Sequence, residues 1–304
     1  MSFSIAWGEL AALIGTLLFG IANVVYRSQR EEIDATSINA LKIWESVPFL
    51  VLLVIVLGIV GEINEFSLRI LILLGVSVIL GLIFGDLLYL KGQELAGVSR
   101  AFPIAMTFPL ITYLLEIAFL EETFLFSKGL AIFVIVSGVA LIGSSAAESD
   151  NQSSVTPQAP ISHELGLGIL LAILAAFLWA TGALVLREGV EDVDPIVAAL
   201  VRIAFASILM APMVGITYQK KNWEIPASKS IVLVLIAGFF GMTIGSTLYV
   251  IAIKLSGAST TAAITATAPV ISIPLSAVFL KEKITPLIIV GTFLTVIGVL
   301  LLVL

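Results

Sequence analysis

Five charged side chains stand inside stretches that are otherwise apolar: Lys42, Glu45, Asp86, Glu116 and Arg202. A charge in hydrocarbon costs several kcal/mol unless it meets a counter-ion, water or a ligand, so each implies a pairing or a function. Lys42 has Glu45 one helical turn away and Asp86 at similar depth, which leaves open a structural salt bridge or a role in a pathway. Arg202 has no acid on its own helix deeper than Asp194, and it is the stronger candidate for contact with an anionic or zwitterionic substrate. Asp86 and Glu116 are the carboxylates able to carry a proton if movement of a solute is coupled to one.

Around them lie groups that line cavities or pack helices. Pro109 and Pro269 sit near the centres of two apolar segments. Each removes one backbone hydrogen bond and crowds the carbonyl four residues earlier, Ala105 or Thr265. Two broken helices offer unpaired carbonyls to a ligand or hinges to a rocking motion. Thr261, Thr265, Ala268, Ser272 and Ser276 form a small, partly polar stripe at helical spacing, and Ala101, Ala105, Phe108, Thr112 and Glu116 form another. Such stripes pack tightly or line a wet cavity. Glu116 favours the cavity, since seven residues past Pro109 puts its carboxylate roughly 10 Å from the segment centre. Tyr89 and Tyr249 suit stacking on a substrate or an interfacial aromatic belt. Trp179, like Trp44, suits a cavity wall or plain packing.

Catalysis has little to draw on. The single histidine, His163, lies in a polar stretch, there is no cysteine, and no phosphate-binding glycine loop or metal-ligand spacing occurs. Neither a cofactor nor a metal is expected. A net charge of −6 spread over short loops offers no basic surface for nucleic acid.

The elements that must position these residues are membrane helices. Of 304 residues 60% are hydrophobic and only 12% charged, against roughly a quarter charged in soluble domains. Apolar segments long enough to cross a bilayer fall near 7–26, 36–60, 68–90, 98–120 and 126–145, then near 165–186, 195–217, 229–253, 258–280 and 285–304. The first lacks a basic flank and a cleavage site, so it reads as a retained helix. A Ser-, Asn-, Gln- and Pro-bearing linker at 146–164 divides two units, 1–145 and 165–304.

The units are copies. With an offset of 160 residues, fifteen of the forty-two positions from Gly81 to Glu122 recur, among them Gly81, Gly85, Tyr89, Thr107 and Pro109. At the same offset Asp34 meets Asp194, Lys42 meets Arg202, and Gly138 meets Gly298. Five helices per copy is an odd number, so the second copy enters the membrane inverted. The expected fold is all-α and polytopic: ten transmembrane helices as two inverted-topology five-helix repeats with a site between them near the midplane.

The run from Ser259 through Pro269, then Phe279 to Thr285 and Gly291 to Gly298, resembles the EamA-type repeat of the drug/metabolite transporter superfamily; Pro109, Phe119 to Glu122 and Gly138 carry a weaker version. That resemblance implies a central cavity lined by helices one to four and six to nine, with five and ten peripheral. It also implies that Trp179, Tyr89 and the face around Pro109 line the pathway. The small four-helix relatives carry a proton-binding glutamate in mid-helix one, where this chain has only Glu9 and Asn23 near the ends. The resemblance implies cytosolic termini, whereas nine loop cations on the far side against four on the terminal side put the termini outside.

The function expected is a secondary transporter, an exporter of a small polar metabolite such as an amino acid, working by alternating access. A passive channel or uniporter, a carrier of sugar phosphates, nucleotide sugars or drugs, and a non-transporting scaffold are the alternatives. Its partners are the small-molecule substrate and the lipid bilayer; a monomer would suffice. The substrate-binding candidates are Tyr89, Pro109, Thr112, Trp179, Arg202, Tyr249, Thr265 and Pro269. Those for coupling or charge pairing are Lys42, Glu45, Asp86 and Glu116.

Overall fold

A computed structural model describes residues 2–29, 32–96, 98–151, 163–220, 227–279 and 285–303. The centre of the linker and residues 280–284 of the Phe279 to Thr285 run lie outside these, as do the side chains of Ser276 and His163. Among the described residues the structure is helical throughout, without a strand. The first half comprises α1 (Ser2–Ser28), α2 (Ala35–Val56), α3 (Leu68–Val78), α4 (Asp86–Ala96), α5 (Val98–Ala105), α6 (Phe108–Phe119) and α7 (Phe126–Asn151). The second comprises α8 (His163–Val190), α9 (Pro195–Lys220), α10 (Ser228–Gly238), α11 (Ser246–Ser256), α12 (Ala258–Thr265), α13 (Ala268–Phe279) and α14 (Pro286–Val303).

Eight helical stretches are long and apolar enough to cross a membrane, and Phe108–Phe119 and Phe126–Ile142 are shorter apolar helices. The difference from ten full spans arises partly at Pro109. Proline has no N–H to continue the ladder, and the chain turns between α5 and α6. There the Thr107 hydroxyl donates to the Ile104 carbonyl at 2.7 Å. The break between α12 and α13 has the same construction, with Thr267 donating to Ile264 at 2.6 Å. Pro109 falls in the first turn of α6, where the lost donor is not needed.

The 160-residue offset recurs in backbone conformation. α3 and α4 are joined by a π-helical turn, Ile79–Gly85, and α10 and α11 by another, Phe239–Gly245. Single π-turns inside α-helices are uncommon and cluster at functional sites. The matched aspartates are helix caps. Asp34 accepts from Thr36 N and Ser37 N at 3.0 and 3.2 Å, and Asp194 from Ile196 N and Val197 N at 2.8 and 3.1 Å.

The halves interlock. α1 packs on α11, α12 and α13; α8 packs on α3, α4 and α6; α2 lies along α9 and α7 along α14. One buried cluster joins Leu74 of the first half to Leu186, Ala198, Ile253 and Ala258 of the second. α7 and α14 touch almost backbone to backbone: a Cβ on Gly138 would lie 2.6 Å from the Gly291 carbonyl oxygen. Large apolar side chains such as Val56, Leu68, Phe119, Ile208 and Phe293 face outward. An apolar exterior over a helical backbone suits lipid as the surrounding medium.

Candidate functional site

A cavity of about 260 Å³ opens where the two π-helical turns meet α1, α2, α8 and α9. Each turn sends its residues to the wall: Gly81 and Leu82 with Asp86 just beyond, and Met242 with Ser246 just beyond. Phe19 from α1 and Trp179 from α8 both line it, and they are equivalent at the 160-residue offset. Lys42 and Arg202 enter from α2 and α9, another equivalent pair.

Glycines permit this arrangement. A Cβ on Gly182 would lie 3.1 Å from the backbone nitrogen of Gly81, so α8 rides close on the first turn. α1 approaches the second turn in like manner, with Gly15 against the Gly245 carbonyl. Gly85 leaves room for the Trp179 indole, which a Cβ there would strike at 2.5 Å.

Polar contacts then fix the charged groups. The Trp179 indole Nε1 donates to Asp86 Oδ1 at 2.9 Å, tying α8 to the end of the first π-helical turn. Tyr89 packs against Trp179 with ring centroids 5.0 Å apart and planes tilted by 57°, and accepts from Gln93 Nε2 at 2.6 Å. Phe108 meets the same indole edge-on at 5.8 Å. Arg202, 7% exposed, donates Nε to Ser77 Oγ at 3.1 Å, and that hydroxyl donates onward to the Leu74 carbonyl at 2.7 Å. Lys42 Nζ lies 5.3 Å from the Tyr26 ring centre, a cation–π contact. The Tyr26 hydroxyl and Glu45 Oε1 are buried without a hydrogen-bond partner.

Of the residues singled out in the sequence, Lys42, Asp86, Trp179, Arg202, Tyr249 and Thr265 line the cavity. Tyr89 stands behind Trp179, in contact with it rather than on the wall. Thr112 is buried and donates to the carbonyl of Phe108 in its own helix. Pro109 and Pro269 shape the breaks at the starts of α6 and α13 and are not on the wall. Glu45 lies against Gly238, whose missing side chain leaves space for the carboxylate.

Glu116 lies away from the cavity, at the start of α12. It accepts from Ala258 N at 2.6 Å and Ser259 N at 3.1 Å, and also from the Ser259 hydroxyl. Lys128 Nζ approaches it at 3.7 Å. This carboxylate of the first half therefore caps a helix of the second, offsetting orphan N–H groups and the positive helix terminus together. Beside it Gly257 has φ +86°, and Arg187 donates to the carbonyls of Ile253 and Lys254 at 2.9 and 3.1 Å, closing the end of α11.

Phe19, Ser77, Gly182 and Leu186 line the wall without having been singled out. Phe19 was reachable, since the offset that pairs Lys42 with Arg202 also pairs it with Trp179. Ser77 carried no signal, because its counterpart is Ala237.

Fold and cavity define a class: a multi-pass integral membrane protein with a small pocket walled by both of its halves. The EamA-like transporter family model matches twice, at residues 6–144 and 166–304. The chain belongs to the EamA-like transporter family. It is 28% identical over 234 residues to an uncharacterized transporter of Archaeoglobus fulgidus, covering 77% of this chain and 76% of that one. It is 31% identical over 138 residues to human solute carrier family 35 member G1, covering 45% of this chain and 36% of that protein. A solved crystal structure superposes with a TM-score of 0.78 at 18% identity, over 97% of this chain and 95% of the other, which shows the fold.

Proposed function

We propose that the protein is a secondary transporter that exports a small polar metabolite, such as an amino acid. It spans the membrane ten times, as two five-helix repeats of opposite orientation, and works by alternating access around the cavity between them. The observation that carries this reading is the composition of the wall: equivalent residues of both halves, Phe19 with Trp179 and Lys42 with Arg202, line one cavity. A pocket built in that way has two exits related by the repeat, and a rearrangement that closes one half's exit opens the other's. The π-helical turns and the paired breaks before Pro109 and Pro269 supply the joints.

Trp179, Arg202, Tyr249 and Thr265 hold the solute, with Tyr89 bracing Trp179 and Lys42 and Asp86 setting the charge of the wall. Pro109, Pro269 and Thr112 act through the helix breaks and their packing. Should movement be coupled to a proton, Asp86 is its carrier, since Glu116 is engaged in capping α12.

The test is flux. Purified protein in sealed vesicles loaded with a labelled panel of amino acids, organic acids and sugar phosphates is expected to release one class faster than empty vesicles do. Saturation with concentration and competition by unlabelled solute are expected too. Linear, unsaturable flux of ions and solutes alike would mean a channel, and no flux of any solute would reject the transporter.

A further inference from the structure

The cavity wall carries an unbalanced charge. Lys42 and Arg202 both border it, and among the described residues neither comes within 4.0 Å of a carboxylate. Among the described residues Arg202 uses only Nε, on Ser77, and its two terminal nitrogens have no hydrogen-bond acceptor. Lys42 has the face of the Tyr26 ring and, beyond ion-pair distance, the charge of Asp86. The single carboxylate on the wall, Asp86, already accepts from the Trp179 indole. Glu45 shares a helix with Lys42 but turns against Gly238 and is not on the wall. Among the described residues of the wall, two cations and one carboxylate leave one positive charge in excess, in a largely apolar lining.

We infer that the solute carries a single net negative charge, its carboxylate held between Lys42 and Arg202 and its apolar part against Phe19, Phe108 and Trp179. This rests on the transporter reading and narrows it. The guanidinium fork matches a carboxylate through its two terminal nitrogens, which are the two left open here. A phosphate monoester brings a charge of about −1.5 to −2 and over-compensates the wall. A cation adds to the excess, and a zwitterion leaves it in place. At about 260 Å³ the cavity lies below the usual ligand-site range of roughly 300–1,000 Å³, which argues against a nucleotide sugar. Organic monocarboxylates and acidic amino acids fit both limits.

The experiment keeps the apolar body constant and varies the charge. Thermal unfolding of the full chain in detergent is measured with 3-phenylpropionate, phenylalanine, phenethylamine and phenyl phosphate at equal concentrations. The phenylpropionate anion is expected to stabilise most. Arg202→Gln and Lys42→Met should each weaken that binding at least about tenfold, the worth of one charge-assisted hydrogen bond. Asp86→Asn should tighten it, which guards against reading a misfolded variant as lost affinity. A larger shift with the amine, the zwitterion or the phosphate overturns the inference. So does no shift with the anion, or an anion shift that survives Arg202→Gln. Flux of the zwitterion or amine without binding of the anion would keep the transporter and reject the anion. Anion binding without flux of any of the four would support the site and count against the transporter.

Discussion

Trp179 reaches Asp86 because position 85 is glycine; a methyl group there would meet the indole at 2.5 Å. That one permission brings Asp86, Trp179 and Phe108 together in the wall, with Tyr89 behind the indole. Replacing Trp179 by Phe keeps a ring but removes the donor to the half-buried Asp86 carboxylate. The expected cost is about 1.5–3 kcal/mol, read as a lowered denaturation midpoint in detergent. A midpoint within error of the wild type would mean that Asp86 does not depend on the indole. At this scale the sequence was legible where chemistry is out of place: Lys42, Asp86 and Arg202 were conspicuous as charges among apolar residues, and the wall holds them. It was illegible where a role depends on the neighbour in space. Ser77 is an ordinary helical serine until Arg202 lies against it, and Glu116 looks like a cavity carboxylate until α12 presents its N–H groups to it.

Between elements, the junction at Gly257 draws on charged residues that the sequence does not repeat. The first half supplies Glu116 and Lys128 there, whereas the second half carries Ser276 and Ile288 at the equivalent positions. The Gly257 end of the interface is thus held by charge-assisted hydrogen bonds whose acceptor and cation are not repeated in the second half's sequence. Glu116→Gln keeps the shape and weakens the cap, so a loss of about 1–2 kcal/mol is expected in denaturant titration, with most of it absent in Ser259→Ala/Glu116→Gln relative to Ser259→Ala alone. Full additivity would show that the two do not act together. Gly138→Leu pushes a side chain into the Gly291 carbonyl and should destabilise by at least about 1–3 kcal/mol, detected as earlier proteolysis of the α7–α14 pair. Helix positions followed from hydropathy because burial in lipid demands about 20 apolar residues in a row. The π-helical turns did not, since an extra residue in a turn changes neither hydropathy nor its period enough to be read.

The whole molecule repeats its first half with few changes of backbone and many of side chain. Caps, breaks and π-helical turns all recur 160 residues on. The repeat was visible in glycines, prolines and caps, whose roles are set by backbone geometry and tolerate little exchange. The cavity was less visible, because the halves contribute unlike residues to it, such as Asp86 against Ser246. If the copies are inverted, the exposed equivalent positions Leu68 and Ser228 lie on opposite sides of the membrane. Since the chain has no cysteine, Leu68→Cys and Ser228→Cys can each be labelled without background. An impermeant thiol reagent is expected to reach one from outside sealed, oriented vesicles and the other only after lysis; labelling of both from one side would reject the inversion. The central claim, a cavity that opens to each face in turn, is tested most directly by a single cysteine at Ser246 on its wall. Its modification rate by an impermeant reagent would be measured from each side, with and without Glu116→Gln. Alternating access requires reaction from both faces, with Glu116→Gln raising the rate at the Gly257 end and lowering it at the other. Reaction from one face only, at a rate that the Glu116 change leaves untouched, would contradict it.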